Sequence, residues 1–222
     1  MAIVVFLVLG CALAFLVGSI PTGLLVGRTR GIDIRKHGSG NVGATNILRV
    51  LGTQWGVFVL LCDALKGYLA VTLIFDGISA LVGPYWNSIS IERTWPHELL
   101  HVVVGASVIA GHIWSVFLCF DGGKGVATSA GAIFGIDPLV AGIGFAIFLI
   151  TVAISGYVSL GSILSTSSGS FISLLLARPA SSVIFFALVA IVVWARHREN
   201  ILRLKNGTEK KFRFSKRGTL HQ

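Results

Sequence analysis

Long apolar runs, one after another and broken only by short glycine-rich polar turns, leave this chain few folds to choose from. A hydrocarbon core of about 30 Å takes about 20 apolar residues in helix, and Ile3–Gly27, Gly56–Phe75, Leu99–Phe120 and Tyr157–Ala177 each meet that length. Pro138–Ser155 and Ala180–Ala195 are slightly short, yet they reach across if flanking side chains snorkel. With 54% of residues hydrophobic and 12% charged, bilayer is the solvent that suits the chain. No Lys or Arg precedes the first run, which continues to Val26, so it reads as a membrane helix and not as a signal peptide.

Lys124–Ile136 decides the topology. It is too short for an unambiguous span, but each crossing flips the next loop to the other side of the membrane. The basic residues are concentrated in Arg28–Arg49 and Arg196–Arg217. If Lys124–Ile136 crosses, both segments face one compartment, which the positive-inside rule makes the cytoplasm. If it does not, they fall on opposite sides and the charge asymmetry is lost. The expectation is therefore an all-α, polytopic integral membrane protein with seven transmembrane helices, one short, the N-terminus outside and the C-terminus cytoplasmic. It forms one domain over residues 1–222, with spans at about 3–27, 56–75, 99–120, 124–136, 138–155, 157–177 and 180–195 and a basic cytoplasmic tail at 196–222. Lys124–Ile136 is expected to be shielded from lipid by its neighbours, and Asp76–Pro96 to be an external loop. The net charge of +9 then reads as topology and not as a nucleic-acid footprint. Cys11, Cys62 and Cys119 lie in apolar runs without disulfide or metal-ligand spacing, so they read as buried thiols.

Three polar motifs are not explained by this plan. In Gly38-Ser39-Gly40-Asn41-Val42-Gly43-Ala44-Thr45-Asn46, glycines let the backbone turn N–H groups inward as an anion-binding nest, at the start of a helix suggested over Ala44–Leu51. Arg49, one turn past Thr45, is placed to fork onto phosphate oxygens. No Lys-Ser/Thr pair follows the glycines, so this is not a Walker A loop; the plainer alternative is a glycine-rich cytoplasmic turn. The second motif runs from Gly111-His112 to Phe120-Asp121-Gly122-Gly123-Lys124-Gly125-Val126-Ala127-Thr128. Lys124 there is either a solvated loop cation or, with glycine-freed amides beside it, a point charge for a phosphoryl group. His112 reads as a packed, hydrogen-bonded histidine. The third motif pairs Gly156–Ser162 with Arg196-His197-Arg198-Glu199-Asn200-Ile201, followed by Arg203 and Gly207-Thr208-Glu209. His197 and Asn200, at i and i+3, share a helical face and can grip one polar ligand, with Ser162 at the same level. The plainer reading of Arg196–Arg203 is a juxtamembrane basic helix held against anionic lipid. Asp63 and Lys66, i and i+3 inside the second span, are costly apart and are expected to pair on the protein-facing side.

Taken together and in order, Gly38–Arg49, Asp63-Ala64-Leu65-Lys66-Gly67, Gly111–Thr128, Tyr157–Ser162 and Arg196–Asn200 resemble the signature segments of the bacterial acyl-phosphate:glycerol-3-phosphate acyltransferase family, the PlsY family. The resemblance implies seven membrane helices with a cytoplasm-facing site in the bacterial inner membrane. It implies Lys124, Arg49, Ser39 and Ser162 as the catalytic set. Gly38, Gly40, Asn41, Gly43, Thr45, Gly123, His197 and Asn200 would bind substrate. The substrates would be acyl-phosphate and glycerol 3-phosphate, with membrane lipids around the protein, an upstream acyl-phosphate-forming enzyme as partner, and no nucleic acid, metal or cofactor. The chain departs from the family pattern at Ser115, where a proline is expected, and at Val158, where a serine is more usual.

The residues also bear on mechanism. Glycerolipid acyltransferases with a soluble head use a His and an Asp five positions apart. The residues five after His37, His97, His101, His112 and His197 are Val42, Val102, Ala106, Phe117 and Leu202, and no Ser-His-Asp set is in register. The chain offers holders of anions and no obvious base, which suits a donor whose own phosphate can take the proton. An organophosphate transporter is the alternative class. It is disfavoured by an odd span count without internal repeats and by polar groups at the membrane ends instead of at midplane. A non-catalytic scaffold would leave both glycine motifs without a purpose.

Overall fold

A computed structural model describes residues 2–86 and 94–212, and among these the protein is helical, without strands. The helices are α1 (Ala2–Ser19), α2 (Thr22–Thr29), α3 (Ala44–Leu51), α4 (Thr53–Leu69), α5 (Phe75–Trp86), α6 (Thr94–Ile113), α7 (Val126–Ile136), α8 (Pro138–Ser155), α9 (Val158–Leu175), α10 (Ala180–Arg196) and α11 (Arg198–Lys205). Among the described residues, five stretches are long and apolar enough to cross a bilayer: Val4–Thr29, Thr53–Leu81, Glu98–Leu118, Pro138–Ser155 and Val158–Leu175. The pair α10 and α11, bent by 63°, makes a sixth if counted as one span.

Several sequence boundaries move, each for a local reason. Pro21 interrupts the first run, so α1 stops at Ser19 and α2 starts at Thr22. The second run does not end at Phe75. It passes through a π-helical turn, Ala70–Ile74, into α5, so the expected external loop Asp76–Pro96 is helical as far as Trp86, and its residues 87–93 lie outside the described part. Asp76 does not break the helix because it is exposed, while Ile78, two residues on and on the opposite face, is buried against α1 beside Gly10. α6 ends at Ile113 instead of Phe120, since Ser115 adopts an extended conformation and opens a single 3-10 turn, Val116–Leu118.

α7 starts at Val126, two residues after the expected edge, and is 11 residues long, about 16 Å at the helical rise. It packs on α4, α6 and α8. Close approach to α4 needs small residues, because a Cβ on Gly131 would meet the carbonyl of Ala64 and one on Gly67 would meet that of Thr128. Thr128, Ser129 and Ala132 are fully buried, and only Ala130 and Phe134, on the opposite side, are exposed, so the short helix is sheltered except along one narrow face. Asp137 caps α8 by accepting from the N–H groups of Leu139 and Val140 at 3.2 Å. Its carboxylate also pairs with Arg178, beyond the end of α9, at 2.6 Å.

The main core joins α1, α6, α7 and α10 around Val104, Val108, Ile113, Phe186 and Val193. A smaller cluster, with Leu24, Ile34, Ile47 and Val59, holds α2 and α3 against α4. The expected pair inside the second span is present: Lys66 Nζ lies 2.8 Å from Asp63 Oδ1, and both side chains are almost fully buried.

Candidate active site

One cavity of about 140 Å³ collects residues from all three polar motifs. Of the residues expected to act, Ser39, Asn41, Gly43, Thr45, Arg49, Lys124, Ser162, His197 and Asn200 line it. Gly38, Gly40 and Gly123 do not. Apolar walls come from Leu60, Val126, Phe148 and Val158.

The first motif is built differently from the expected nest. Gly38 and Gly40 have φ of +64° and +73°, a left-handed geometry that favours glycine, and they fold the loop back on α3. Three of its N–H groups are then consumed inside the loop: Ser39 donates to Asn46 Oδ1 at 2.8 Å, Gly40 to the His37 carbonyl at 3.0 Å and Gly43 to Asn41 Oδ1 at 2.8 Å. Asn46, buried and not among the expected site residues, staples the loop by donating to the carbonyls of His37 and Asn41 at 3.0 and 2.8 Å. What faces an anion is instead the first turn of α3. Gly43 provides no side-chain cap there, so the Ala44 and Thr45 amides are left for a ligand, as at any open helix N-terminus.

In the second motif, the turn Gly122-Gly123 lies back against the end of α6. Gly122 N–H donates to the Ile113 carbonyl and Gly123 N–H to the His112 carbonyl, both at 3.0 Å. Gly123 is therefore a packing residue, lying flat on the His112 ring, where a Cβ would meet Nε2. This places half-buried Lys124 over the cavity, with its ammonium donating to Asn200 Oδ1. Burial, and next the Arg203 guanidinium, lower the Lys124 pKa from 10.5 to about 8. Ser115 fills the expected proline position with a buried hydroxyl that donates to the Ser19 carbonyl at 2.5 Å, tying this turn to α1.

The third motif closes the cavity. His197 sits at the bend between α10 and α11 and is buried. Its Nδ1 lies 2.8 Å from the Val193 carbonyl; a carbonyl only accepts, so Nδ1 carries the proton and Nε2 the lone pair. Burial, and next the positive charge of Lys124, push the His197 pKa down to about 4, so the ring is neutral at ordinary pH. Ser162 Oγ donates to the Val158 carbonyl at 2.9 Å within α9.

Glu209, at the end of the third motif, was given no role from sequence. It is buried, and accepts from Asn200 Nδ2 at 2.6 Å, Ser159 Oγ at 2.8 Å and Arg203 Nε at 2.7 Å. Burial pushes its pKa up, but these three donors outweigh it and the net shift is downward. The tail then continues across the mouth: Arg49 Nη2 donates to the Lys210 carbonyl at 3.4 Å, and Phe212 N–H to the Gly156 carbonyl at 2.6 Å. A signal was available, since Glu209 is the only acid after Glu199 in a strongly basic tail. Arg203, Ser159, Asp63 and His112 also line the cavity without having been expected there. The arrangement presents Arg49, Lys124 and Arg203 around a small polar cavity with one apolar side. It suits a phosphorylated polar molecule meeting an apolar chain.

The family model described as glycerol-3-phosphate acyltransferase matches residues 8–207. The glycerol-3-phosphate acyltransferase 2 of Moorella thermoacetica is 45% identical over 204 residues, covering 91% of this chain and 96% of its own. The Geobacter sulfurreducens glycerol-3-phosphate acyltransferase is 39% identical over 202 residues, covering 91% of this chain and 95% of its own. A crystal structure of PlsY, an integral membrane glycerol 3-phosphate acyltransferase in its glycerol 3-phosphate form, superposes with a TM-score of 0.79 at 34% identity, covering 93% of this chain and 96% of that one. Its lysophosphatidic acid form gives 0.77, also at 34% identity, covering 94% and 96%. With matched segments that take in all three motifs, this chain belongs to the glycerol-3-phosphate acyltransferase family.

Proposed function

We propose that the protein transfers a fatty acyl group from acyl-phosphate to the sn-1 hydroxyl of glycerol 3-phosphate. The products are 1-acyl-glycerol 3-phosphate (lysophosphatidate) and inorganic phosphate, in the first acylation step of phospholipid biosynthesis. The observation that carries this reading is the meeting of Arg49, Lys124 and Arg203 in one cavity beside His197, which is held neutral.

A group with a pKa of about 4 is a weak base at neutral pH, so the His197 lone pair serves better as an acceptor that orients a glycerol hydroxyl. The donor supplies its own base. In the transfer, the sn-1 oxygen bonds to the acyl carbon, the acyl carbon–oxygen bond to phosphate breaks, and the hydroxyl proton passes to the departing phosphate. Lys124, Arg49 and the amides of Ala44 and Thr45 stabilise the charge that gathers on phosphate. Holding both reactants in line contributes about 7–11 kcal/mol in favourable cases. Ser39 and Ser162 complete the polar wall, Asn41, Thr45, His197 and Asn200 hold glycerol 3-phosphate, and the acyl chain leaves along the Leu60 and Phe148 side toward lipid. Gly38, Gly40, Gly43 and Gly123 serve by shaping the turns.

The same reading puts the protein in the bacterial inner membrane with seven crossings, the N-terminus outside, and the cavity and C-terminus toward the cytoplasm, where an acyl-phosphate-forming enzyme would supply the donor. Two observations support the odd count. α7 begins at the cavity with Val126 and ends at Ile136, next to Asp137, which pairs with Arg178 past the far end of α9. From there α8, 18 residues long, returns to Gly156 beside Phe212 of the tail. The difference in length between α7 and α8 sinks the cavity below the membrane surface.

The test uses purified protein in detergent, where transport has no meaning. Acyl-phosphate with labelled glycerol 3-phosphate should yield equal amounts of phosphate and labelled lysophosphatidate. Acylation from an acyl thioester but not from acyl-phosphate would refute the donor assignment, and no acylation from either would refute the enzyme reading.

A further inference from the structure

On one wall of the cavity, where Asp63 and His112 belong to the lining, lies a largely buried polar cluster that the mechanism above does not use. Asp63 Oδ1 accepts from Thr22 Oγ1 at 3.0 Å and pairs with Lys66 Nζ at 2.8 Å. Lys66 also donates to the Ile20 carbonyl at 2.9 Å, in the break that Pro21 makes between α1 and α2. His112 Nδ1 stands 3.7 Å from the same carboxylate oxygen and 3.1 Å from Thr128 Oγ1. One carboxylate is thus tied to α2, α4 and α6, and through His112 to α7.

Such a cluster is costly to bury, and membrane proteins seldom carry one without use. Its geometry argues against direct chemistry by His112. Nδ1 is directed at Thr128 and Asp63, while Nε2 lies against Gly123 so closely that a Cβ there would collide with it. Nδ1 is thus engaged inside the protein, and Gly123 crowds Nε2. What the residue does control is the turn that carries Lys124: its carbonyl receives Gly123 N–H at 3.0 Å and its ring forms the floor under Gly123.

We propose that His112, held by Asp63 and Thr128, is a positioning residue for acyl transfer that sets the depth of the Gly122-Gly123-Lys124 turn and so keeps the Lys124 ammonium in reach of Asn200 and the substrate phosphate. The proposal rests on the acyltransferase reading above. The imidazole acts as a rigid spacer: it fills the gap between the buried carboxylate and the glycine turn, and its ring is oriented by the Thr128 hydroxyl 3.1 Å from Nδ1. Removing it lets the turn sink toward Asp63 and withdraws Lys124. A displacement of about 1 Å at a reacting group is enough to lower the rate about 10²-fold.

Because His112 acts through Lys124, the two must be non-additive. Purified His112→Ala is expected to lose about 10²-fold in kcat/KM and to bind glycerol 3-phosphate about tenfold more weakly. Thr128→Val, which keeps the imidazole but removes its Nδ1 partner, is a milder variant for use where His112→Ala does not fold, and it should show a smaller loss of the same kind. Each is then made in a Lys124→Ala background and glycerol 3-phosphate binding is measured by calorimetry, which needs no turnover. The expected result is less than about a twofold further loss on top of Lys124→Ala. The same loss in both backgrounds would mean that His112 reaches the substrate by another route, and unchanged kcat/KM in single variants would mean that it positions nothing; either overturns the proposal. Absence of acyl-phosphate turnover in the unaltered protein would remove the functional reading alone, since the binding cycle still reports on the coupling.

Discussion

The Lys124 ammonium donates to the side-chain oxygen of Asn200, a bond between residues 76 apart in sequence that fastens the glycine turn after α6 to the start of α11. Asn200 in turn donates to Glu209 at 2.6 Å, so cation, amide and carboxylate form one chain across the cavity. Lys124→Ala removes the cation from that chain. The expected loss in kcat is about 10²–10³-fold, the range for deleting one preorganised donor at developing charge. Steady-state kinetics on the folded variant measure it, and near-normal kcat would rule out charge stabilisation by this residue.

Arg49→Lys keeps a positive charge at the mouth but loses the planar fork, and with it the geometry for holding a substrate phosphate and the Lys210 carbonyl at the same time. We expect kcat/KM to fall by about tenfold or more, the factor that about 1.4 kcal/mol of lost contact represents. Equal activity in the two proteins would show that Arg49 serves only as a diffuse charge.

What sequence could and could not reveal follows from the kind of force involved. Lys124, Arg49, His197 and Asn200 were legible because isolated polar residues beside glycines in an apolar chain have few structural reasons to be there. The Asp63–Lys66 pair was legible because an unpaired charge in a span is too costly. Glu209 was not, because its meaning depends on a tail folding back to meet Ser159, 50 residues earlier, and no local periodicity encodes that return. The expected nest is not formed by Ser39, Gly40 and Gly43, because Asn46 and Asn41 take the Ser39 and Gly43 amides and the His37 carbonyl takes that of Gly40, a choice made by loop packing. Asp76 was misread as a stop because hydropathy registers a charge without registering that it is exposed.

The low pKa of Lys124 has opposite consequences for activity and stability. With the folded value at about 8 and the ordinary value at 10.5, the ammonium is lost from the folded protein as pH rises through about 8, while the unfolded chain keeps its proton. kcat/KM, which reports the free enzyme, should therefore decline above about pH 8. Over the window from about 8 to 10.5 the unfolded state binds more protons, so this group's contribution to stability rises with pH. A pH series of rate and thermal midpoint on wild type and Lys124→Met should show both trends in the former and neither in the latter. His197, held at about 4, should add no inflection near 6.5.

Glu209→Ala leaves Asn200 Nδ2, Ser159 Oγ and Arg203 Nε without their shared acceptor. Asn200 and Ser159 are buried, and each buried donor left unpaired costs about 1–3 kcal/mol, so the variant should melt at a clearly lower temperature and lose activity through disorder at Asn200. Glu209→Gln retains one acceptor oxygen and should fall between the two. A Glu209→Ala protein with the wild-type midpoint would show that the tail contributes nothing to holding the site.

The short helix α7 carries the topology, and its two ends provide the test. Asp121, ahead of it, and Leu139, just beyond it, are both exposed. In a background with Cys11, Cys62 and Cys119 replaced, Asp121→Cys and Leu139→Cys should react with an impermeant thiol reagent from opposite faces of sealed vesicles, Asp121→Cys from the cytoplasmic one. Lys36→Cys and Lys205→Cys, at exposed positions near the cavity mouth, should label with Asp121→Cys. Ala180→Cys, beside the Arg178–Asp137 pair, should label with Leu139→Cys. Labelling of Leu139→Cys from the cytoplasmic face would make α7 a re-entrant helix. The parity of every later span would then reverse, and α9 could not bring Ser159 and Ser162 to the same side as Arg49.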